Sequence, residues 1–157
     1  MEDRNSPEAI AARAAQPDPL VMYLVVKKSL EMGPGKTAAQ CAHASQMLTL
    51  KYFEKNNILD YLAEEIFYDS SLAEGPDWKD NLVFCQVFST WLQESFRKVV
   101  LVANDSQFER LKEDPNHVVV VDAGLTEIAP GSETVIGLWP RRRSTCSKLI
   151  QKLQVLK

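Results

Sequence analysis

The chain has 157 residues, of which 45% are hydrophobic and 25% are charged, a composition typical of a globular protein with a core of its own. No apolar run approaches the roughly 18 residues that a membrane-spanning helix needs, so we expect no membrane span. The net charge of −3, taken over the whole chain, argues against a nucleic-acid partner.

The N-terminal segment and the cysteines favour a cytoplasmic location. Residues 1–19 lack the apolar centre of a secretory signal and are too acidic for a mitochondrial transit peptide. Prolines within polar, alanine-rich sequence predict a mobile tail there. An odd number of widely spaced cysteines indicates free thiols in a reducing compartment. These cysteines are Cys41, Cys85 and Cys146.

Along residues 20–157, short apolar runs typical of strands alternate with segments that have the residue pattern of helices. The predicted strands are VMYLVV (21–26), KVVLVA (98–103), HVVVVDAG (117–124) and ETVIGLWP (133–140). The predicted helices are residues 36–55, 81–96, 106–114 and part of the closing segment 144–157, whose last residues leave the helix. Strands that alternate with helices predict an α/β domain with a largely parallel sheet. Ligands of such sheets bind beyond the carboxyl ends of the strands, where the loops after the first and third strands lie.

Charge is distributed unevenly along the chain. Residues 54–80 carry eight acidic side chains and two lysines, a balance of −6, and the first 20 residues carry −2. Subtracting both from the total leaves +5 for the remainder, which clusters at Lys27–Lys28 and at Arg141–Arg143. Both clusters suit a phosphate-rich partner, and the alternative is a solvated surface. The acidic, aromatic stretch at about 54–80 is interpreted as an insertion suited to a protein partner.

The sequence GPGKTAAQCAHAS (33–45) places three polar side chains on one face of the first predicted helix. Lys36, Gln40 and His43 follow the spacing i, i+4, i+7, which confines them to an arc of about 60°. The alternative is a solvated polar stripe. GPGK is not a Walker A motif, because Leu30 stands where the first glycine is required. A glycine loop that opens onto a helix N-terminus still suits an anion.

Other candidate groups are fewer. Cys41 and His43 are two residues apart with no second Cys/His pair, so no metal site is predicted. A nucleophilic Cys41 activated by His43 is disfavoured, because the two point in different directions on a helix. Asp122 ends a run of four valines and is a candidate general base or orienting group, or alternatively a cap for the turn at Gly124. Hydroxyls near the next loop come from Thr126, Ser132 and Thr134.

Four segments carry long, specific patterns. They are VMYLVVKKSLEMGPGKTAAQCAHAS, KVVLVA, VVVVDAGLTEIAPGSETVIGLWP and LIQKLQVLK, in that order. With their GKxAAQCxHA and DAGxTxIxPGSxTVxG patterns, they resemble the archaeal and eukaryotic type of peptidyl-tRNA hydrolase. The resemblance covers roughly residues 20–50 and 98–157, and it covers neither the tail nor most of residues 51–97.

This resemblance implies one α/β domain over residues 20–157, with a four-stranded mixed, mostly parallel sheet and helices on both faces, often as a homodimer. It implies hydrolysis of the ester that joins the peptide to tRNA in peptidyl-tRNA, without a metal or other cofactor. The implied catalytic residues are Lys36, His43, Asp122 and Thr126, and the implied substrate-binding residues are Gln40, Ser132 and Thr134. Residues expected to hold tRNA phosphates are Lys27, Lys28, Arg141, Arg142 and Arg143.

In the implied mechanism, Asp122 and His43 position and deprotonate a water, and Lys36 with nearby hydroxyls stabilises the oxyanion. The sequence leaves open which of Asp122 and His43 moves the proton. Two other classes of function stay open. One is a non-catalytic member of the same fold that binds RNA or a protein through the 54–80 insertion. The other is a nucleotide or small-molecule binder that uses the GPGK loop.

Overall fold

The computed structural model describes residues 5–55 and 78–157. Most of the predicted insertion at 54–80 lies outside the described residues. The strands are β1 (Leu20–Lys27), β2 (Arg97–Ala103), β3 (His117–Val121), β4 (Glu133–Arg142) and β5 (Gln154–Val155). The helices are α1 (Pro7–Ala14), α2 (Pro34–Lys55), α3 (Trp78–Thr90), α4 (Asp105–Leu111) and α5 (Lys148–Lys152). A π-helical turn, Trp91–Ser95, continues α3.

Within the predicted tail, the chain forms α1, which buries none of its residues. Ser6 caps this helix by accepting a hydrogen bond from the Ala9 N–H. The Arg97 guanidinium donates to the Arg13 carbonyl at 2.5 Å. The Asp18 carboxylate also accepts from the Ser144 hydroxyl at 2.5 Å, so the segment before β1 contacts the domain through hydrogen bonds and α1 contributes no buried apolar face.

One mixed sheet has the strand order β3-β4-β1-β2-β5. The α/β class is confirmed, but the prediction of four mostly parallel strands is wrong. Only β1 and β2 are parallel, and the other three pairs of described strands are antiparallel. The physical reason is that residues 122–132, between β3 and β4, contain no helix, and parallel neighbours need a long crossover connection. The fifth strand forms because the chain leaves α5 and pairs Val155 with Leu101.

Side-chain alternation along β1 produces a core on each face of the sheet. Leu20, Met22, Leu24 and Val26 belong to one apolar cluster, together with residues of α2 and α3. The odd-numbered positions from 21 to 25 belong to a second cluster, together with residues of α4 and α5. Helices therefore cover both faces of the sheet, which explains why the sequence VMYLVV of β1 is a continuous apolar run.

Helix α2 packs closely on β4 at a glycine. A Cβ atom at Gly137 would lie 3.0 Å from both the Leu48 Cδ1 and the Val118 Cγ2 atoms, and 3.3 Å from the Ala44 Cβ. Ala44 and Leu48 are fully buried against the sheet. The missing side chain at position 137 therefore sets how near α2 lies to the sheet.

We expect Gly137→Val to lower the free energy of unfolding by about 1–3 kcal/mol, because the added atoms overpack the contact between α2 and β4. Urea unfolding followed by circular dichroism measures this. The matched control is Gly35→Ala in α2, since a Cβ there meets no atom within 4 Å. The control should be neutral or slightly stabilising. Equal stability of Gly137→Val and the parent would show that the close approach is not required.

Candidate active site

A cavity of about 540 Å³ lies between the first turns of α2 and the loop that follows β3. Lys36, Gln40 and His43 line it from α2, and Asp122 and Thr126 line it from the loop. It lies at the carboxyl end of β3, where Asp122 directly follows the strand. The structure thus brings together the polar stripe of α2 and the carboxylate at the end of the valine run.

Asp122 is the centre of the hydrogen-bond network in this cavity. Its Oδ2 atom accepts from the Lys36 Nζ at 2.5 Å and from the Gln40 Nε2 at 2.7 Å. Its Oδ1 atom accepts from the Gly124 N–H at 2.7 Å. The residue is only 7% exposed. The Lys36 ammonium first, and then the Gly124 N–H, hold the pKa of Asp122 below its ordinary value of 3.8, so the site contains an ionised carboxylate at neutral pH.

Gln40 is held in one orientation by Thr134. The Thr134 hydroxyl, which is fully buried, donates to the Gln40 Oε1 at 2.8 Å. That bond directs the amide Nε2 towards Asp122. Thr134 lies in a β-bulge. Val120 pairs with Val135 and Val121 pairs with Glu133, so Thr134 has no partner residue across the strands. Thr134 therefore lies beneath the cavity and supports its wall.

The loop after β3 is closed by its own backbone. The Asp122 carbonyl accepts from the Gly131 N–H at 2.8 Å, and the Asp122 N–H donates to the Ser132 carbonyl at 2.9 Å. Gly124 has φ +75°, and a Cβ there would lie 2.4 Å from the Pro130 nitrogen, so only glycine fits this turn. The Ser132 hydroxyl donates to the Ala129 carbonyl at 2.7 Å, within the loop, and Ser132 does not line the cavity.

Glu127 joins this loop to the start of α2. Its Oε2 atom accepts from the Gly33 N–H at 2.8 Å. A carboxylate at this end of a helix interacts favourably with the helix dipole. The backbone N–H of Gly33 in the GPGK loop is thus already bound by a carboxylate of the chain itself, which argues against a nucleotide phosphate at that position.

His43 and Thr126 are the solvent-facing members of the set. Both line the cavity and both are exposed. Within residues 5–55 and 78–157 no hydrogen bond to the His43 ring is formed, so the ring is open to a ligand or a water. Cys41, two residues earlier, is packed in the core cluster on the sheet instead. Burial raises the pKa of the Cys41 thiol, which makes it a poor nucleophile.

Lys27 and Lys28 lie at the same end of the strands as the cavity. Lys27 ends β1, its Nζ lies 4.0 Å from the Glu109 Oε1, and it lies 5.1 Å from the centre of the Phe108 ring. Lys28 is exposed in the 3₁₀ turn that follows. Both residues therefore lie at the carboxyl end of β1.

The three arginines lie at the opposite end of the strands. Arg141 pairs with Val21 at the start of β1, which is roughly 23 Å along β4 from Thr134. Arg141 forms an ion pair with Asp114, Arg142 donates to the Asp18 carbonyl at 2.5 Å, and Arg143 donates to the Gln151 carbonyl at 2.9 Å. The structure therefore separates the arginines from the cavity, although the sequence grouped them with the lysines.

The spacing of the polar stripe continues along α2 beyond His43. Met47 and Leu50 follow His43 at i+4 and i+7 and are 38% and 45% exposed. They line a second cavity of about 450 Å³ beside β3, which shares His43 with the first. The polar stripe thus passes directly into an exposed apolar one.

Neither a metal-binding cluster nor a membrane-spanning helix occurs among the described residues. Among residues 5–55 and 78–157, no group of three or more His, Cys, Asp and Glu side chains is arranged to hold a metal ion. In the same part of the chain, no helix combines the length and apolar character needed to cross a membrane.

Comparison with known proteins assigns the family. The family model described as peptidyl-tRNA hydrolase PTH2 matches residues 20–156. The chain is similar to a protein named peptidyl-tRNA hydrolase from Thermoplasma acidophilum, with 28% identity over 86% of this chain and 97% of that protein. It is also similar to proteins of the same name from Sulfurisphaera tokodaii, with 30% identity over 86% of this chain and 97% of the relative, and from Saccharolobus islandicus, with 28% identity over 86% and 98%. The chain belongs to the PTH2 family of peptidyl-tRNA hydrolases.

Proposed function

We propose that this chain hydrolyses the ester bond between the peptide and the tRNA of peptidyl-tRNA, and that the cavity around Asp122 is where it does so. The observation that carries this proposal is the buried network in which Lys36, Gln40 and Asp122 hold one another beside the exposed His43. Membership of the peptidyl-tRNA hydrolase family supports the reaction. The released products would be a free tRNA and a free peptide.

His43 is the proposed general base. Besides His43, the titratable side chains that line the cavity are Lys36, Asp122 and Glu127. Lys36 and Asp122 are bound to each other, and Glu127 accepts the Gly33 N–H. Imidazole is the side chain that most often moves protons in enzymes. The exposed His43 ring is free to take a proton from a water that attacks the ester carbonyl.

Lys36 is proposed to stabilise the negative charge that forms on the carbonyl oxygen. Its ammonium is held by Asp122 at the wall of the cavity with 12% of the side chain exposed, so it is positioned before the substrate arrives. A pre-positioned cation in a partly buried site stabilises an oxyanion more than a mobile cation in water does. Asp122 would then orient Lys36 and Gln40 and would not itself remove the proton, because both of its oxygens already accept hydrogen bonds.

Thr126 and the two lysines are proposed to contact the substrate. Thr126 is exposed at the rim, where its hydroxyl can donate to the departing ribose oxygen or to the terminal nucleotide. Lys27 and Lys28, which lie at the same end of the strands as the cavity, would bind backbone phosphates of the tRNA. Arg141, Arg142 and Arg143 are proposed to contact phosphates farther from the ester.

The other expectations about partners remain predictions. A homodimer is implied by the family resemblance, and a protein partner is predicted for the insertion at 54–80, most of which lies outside the described residues. A cytoplasmic location fits a substrate that ribosomes produce. No observation favours a non-catalytic role, since the polar set of the cavity is complete.

We expect purified parent protein to hydrolyse N-acetyl-aminoacyl-tRNA in the presence of EDTA, and His43→Ala to lower kcat by about 10²–10⁴-fold, which is the usual contribution of a general base. Release of acid-soluble amino acid measures the rate. The matched control is His117→Ala, which removes the other histidine of the chain, located at the start of β3. A folded His43→Ala variant with the rate of the parent would exclude His43 as the base.

We expect Thr134→Val to lower kcat about tenfold, because Gln40 loses the bond that orients its amide towards Asp122, and to lower the free energy of unfolding by about 1–3 kcal/mol, because the buried Gln40 Oε1 loses its donor. Thr134→Ser keeps the hydroxyl and should restore most of the rate. KM should change little, since the Thr134 side chain lies beneath the cavity. Equal rates for the valine and serine variants would show that the hydroxyl does not position Gln40.

We expect the stability of the parent to fall more steeply in acid than that of Asp122→Asn. The pKa of Asp122 is lower in the folded state than its ordinary value of 3.8, so its ionised form contributes stability above about pH 4. That contribution is lost as the pH falls through the folded-state pKa. Urea unfolding of both proteins between pH 7 and pH 3 measures the difference. Curves that remain parallel would contradict the stabilised carboxylate.

A further inference from the structure

The strand β3 has a free edge that begins at the active-site cavity. It is the last strand in the sheet order, and no described strand pairs with its outer side. The Asn116 carbonyl accepts from the Trp139 N–H of β4. Backbone groups of an antiparallel strand alternate in direction, so Val118 and Val120 bond to β4, while Val119 and Val121 point their N–H and C=O groups outward.

Two contacts agree with this assignment of directions. The Lys51 ammonium lies 3.4 Å from the outward carbonyl of His117 and donates to it. The Asp122 N–H, which the alternation directs inward, donates to the Ser132 carbonyl. An edge with unpaired N–H and C=O groups is a template for the addition of an extended chain.

A groove lies between this free edge and α2, and we name it the edge groove. Its volume is about 450 Å³, and it is lined by His43, Gln46, Met47, Leu50 and residues 119–121. The Val119 side chain packs on the opposite face of the sheet, so the groove is bordered there by the backbone of β3. Met47, Leu50 and Val121 are 38%, 45% and 59% exposed and form an apolar lining.

We propose that the edge groove binds the peptide part of the substrate as an added strand alongside β3. This inference rests on the proposed function. The edge groove shares His43 and Val121 with the active-site cavity, so it is the direct continuation of the place where the ester is cut. The group attached to that ester on the acyl side is the peptide, which must leave the cavity along some surface.

The geometry fixes the direction and the length of the bound peptide. The ester is at the carboxyl terminus of the peptide, and the cavity is at the carboxyl end of β3, so the peptide runs parallel to β3. From His43 to Leu50 the helix advances about 10 Å. An extended chain advances about 3.3 Å per residue, so the edge groove accommodates about three residues.

This mode of binding suits a substrate whose peptide has any sequence. The N–H groups of Val119 and Val121 would donate to the peptide main chain and their C=O groups would accept from it, without contact to peptide side chains. The peptide side chains that face α2 would contact Met47 and Leu50. Methionine adapts to differently shaped apolar groups. Recognition would therefore depend on peptide length and not on sequence.

The first test compares kcat/KM for tRNA that carries an N-acetylated peptide of one, two, three or four residues. We expect about a tenfold gain from one residue to three, equivalent to two additional net hydrogen bonds, and no further gain at four. Leu50→Glu and Val119→Pro, which removes an outward N–H, should bring the ratio of the three-residue rate to the one-residue rate close to 1. Val119→Ala keeps that N–H and should keep the ratio.

The matched control for Leu50→Glu is Val155→Glu, which places the same charge at an exposed aliphatic residue on the opposite edge of the sheet and should keep the gain. Rates that do not depend on peptide length in the parent would overturn the proposal. So would a gain that survives in both Leu50→Glu and Val119→Pro. A Leu50→Glu variant that changes the sedimentation coefficient but keeps the gain would identify the edge groove as a contact between copies of the chain, which also overturns the proposal.

A binding measurement separates this inference from the proposed function. The probe is N-acetyl-tripeptide joined by an amide to 3′-amino-3′-deoxyadenosine, which resists hydrolysis. We expect it to shift the NMR signals of the Val119 and Val121 amides more than those of Val118 and Val120. This result can be obtained even if the chain hydrolyses no ester, and its absence at saturating probe would overturn the edge groove as a peptide site whatever the activity is.

Discussion

The candidate active site depends on one buried ion pair, between Lys36 of α2 and Asp122 at the end of β3. A carboxylate with 7% exposure is costly unless its charge is neutralised and its oxygens are bonded. Here three donors from two segments of the chain meet that need: the Lys36 ammonium, the Gln40 amide and the Gly124 N–H. The same bonds fix α2 relative to the β3–β4 loop, so the group that makes the site stable also gives it its shape.

Other features of the fold serve this arrangement at a distance. Gly137 lets α2 approach the sheet, which brings Lys36 and Gln40 within reach of Asp122. The bulge at Thr134 turns a buried hydroxyl towards Gln40. Gly124 permits the turn that directs its own N–H at the carboxylate. The result is a polar wall held by hydrogen bonds, with His43 and Thr126 exposed beside it.

Much of this could be predicted from the sequence, because the signals were local. The i, i+4, i+7 spacing in α2 and the valine run before Asp122 each depend on one element and its periodicity, and both were interpreted correctly as helix and strand. The predicted sheet direction is wrong, because β3 and β4 are joined without a helix and such a short connection produces an antiparallel pair. The bulge at Thr134 depends on the register between two strands, for which a single strand carries no signal. The separation of the lysines from the arginines likewise needs the strand order.

The most direct test of the account is a double-mutant cycle on turnover of N-acetyl-aminoacyl-tRNA with Lys36→Met, Asp122→Asn and the two combined. If Asp122 acts by holding Lys36 in place, the double variant should lose no more kcat/KM than the more damaging single variant, since residues that act as a unit are not additive. Losses that multiply independently would mean that Asp122 has a chemical role separate from Lys36, and would contradict the central claim.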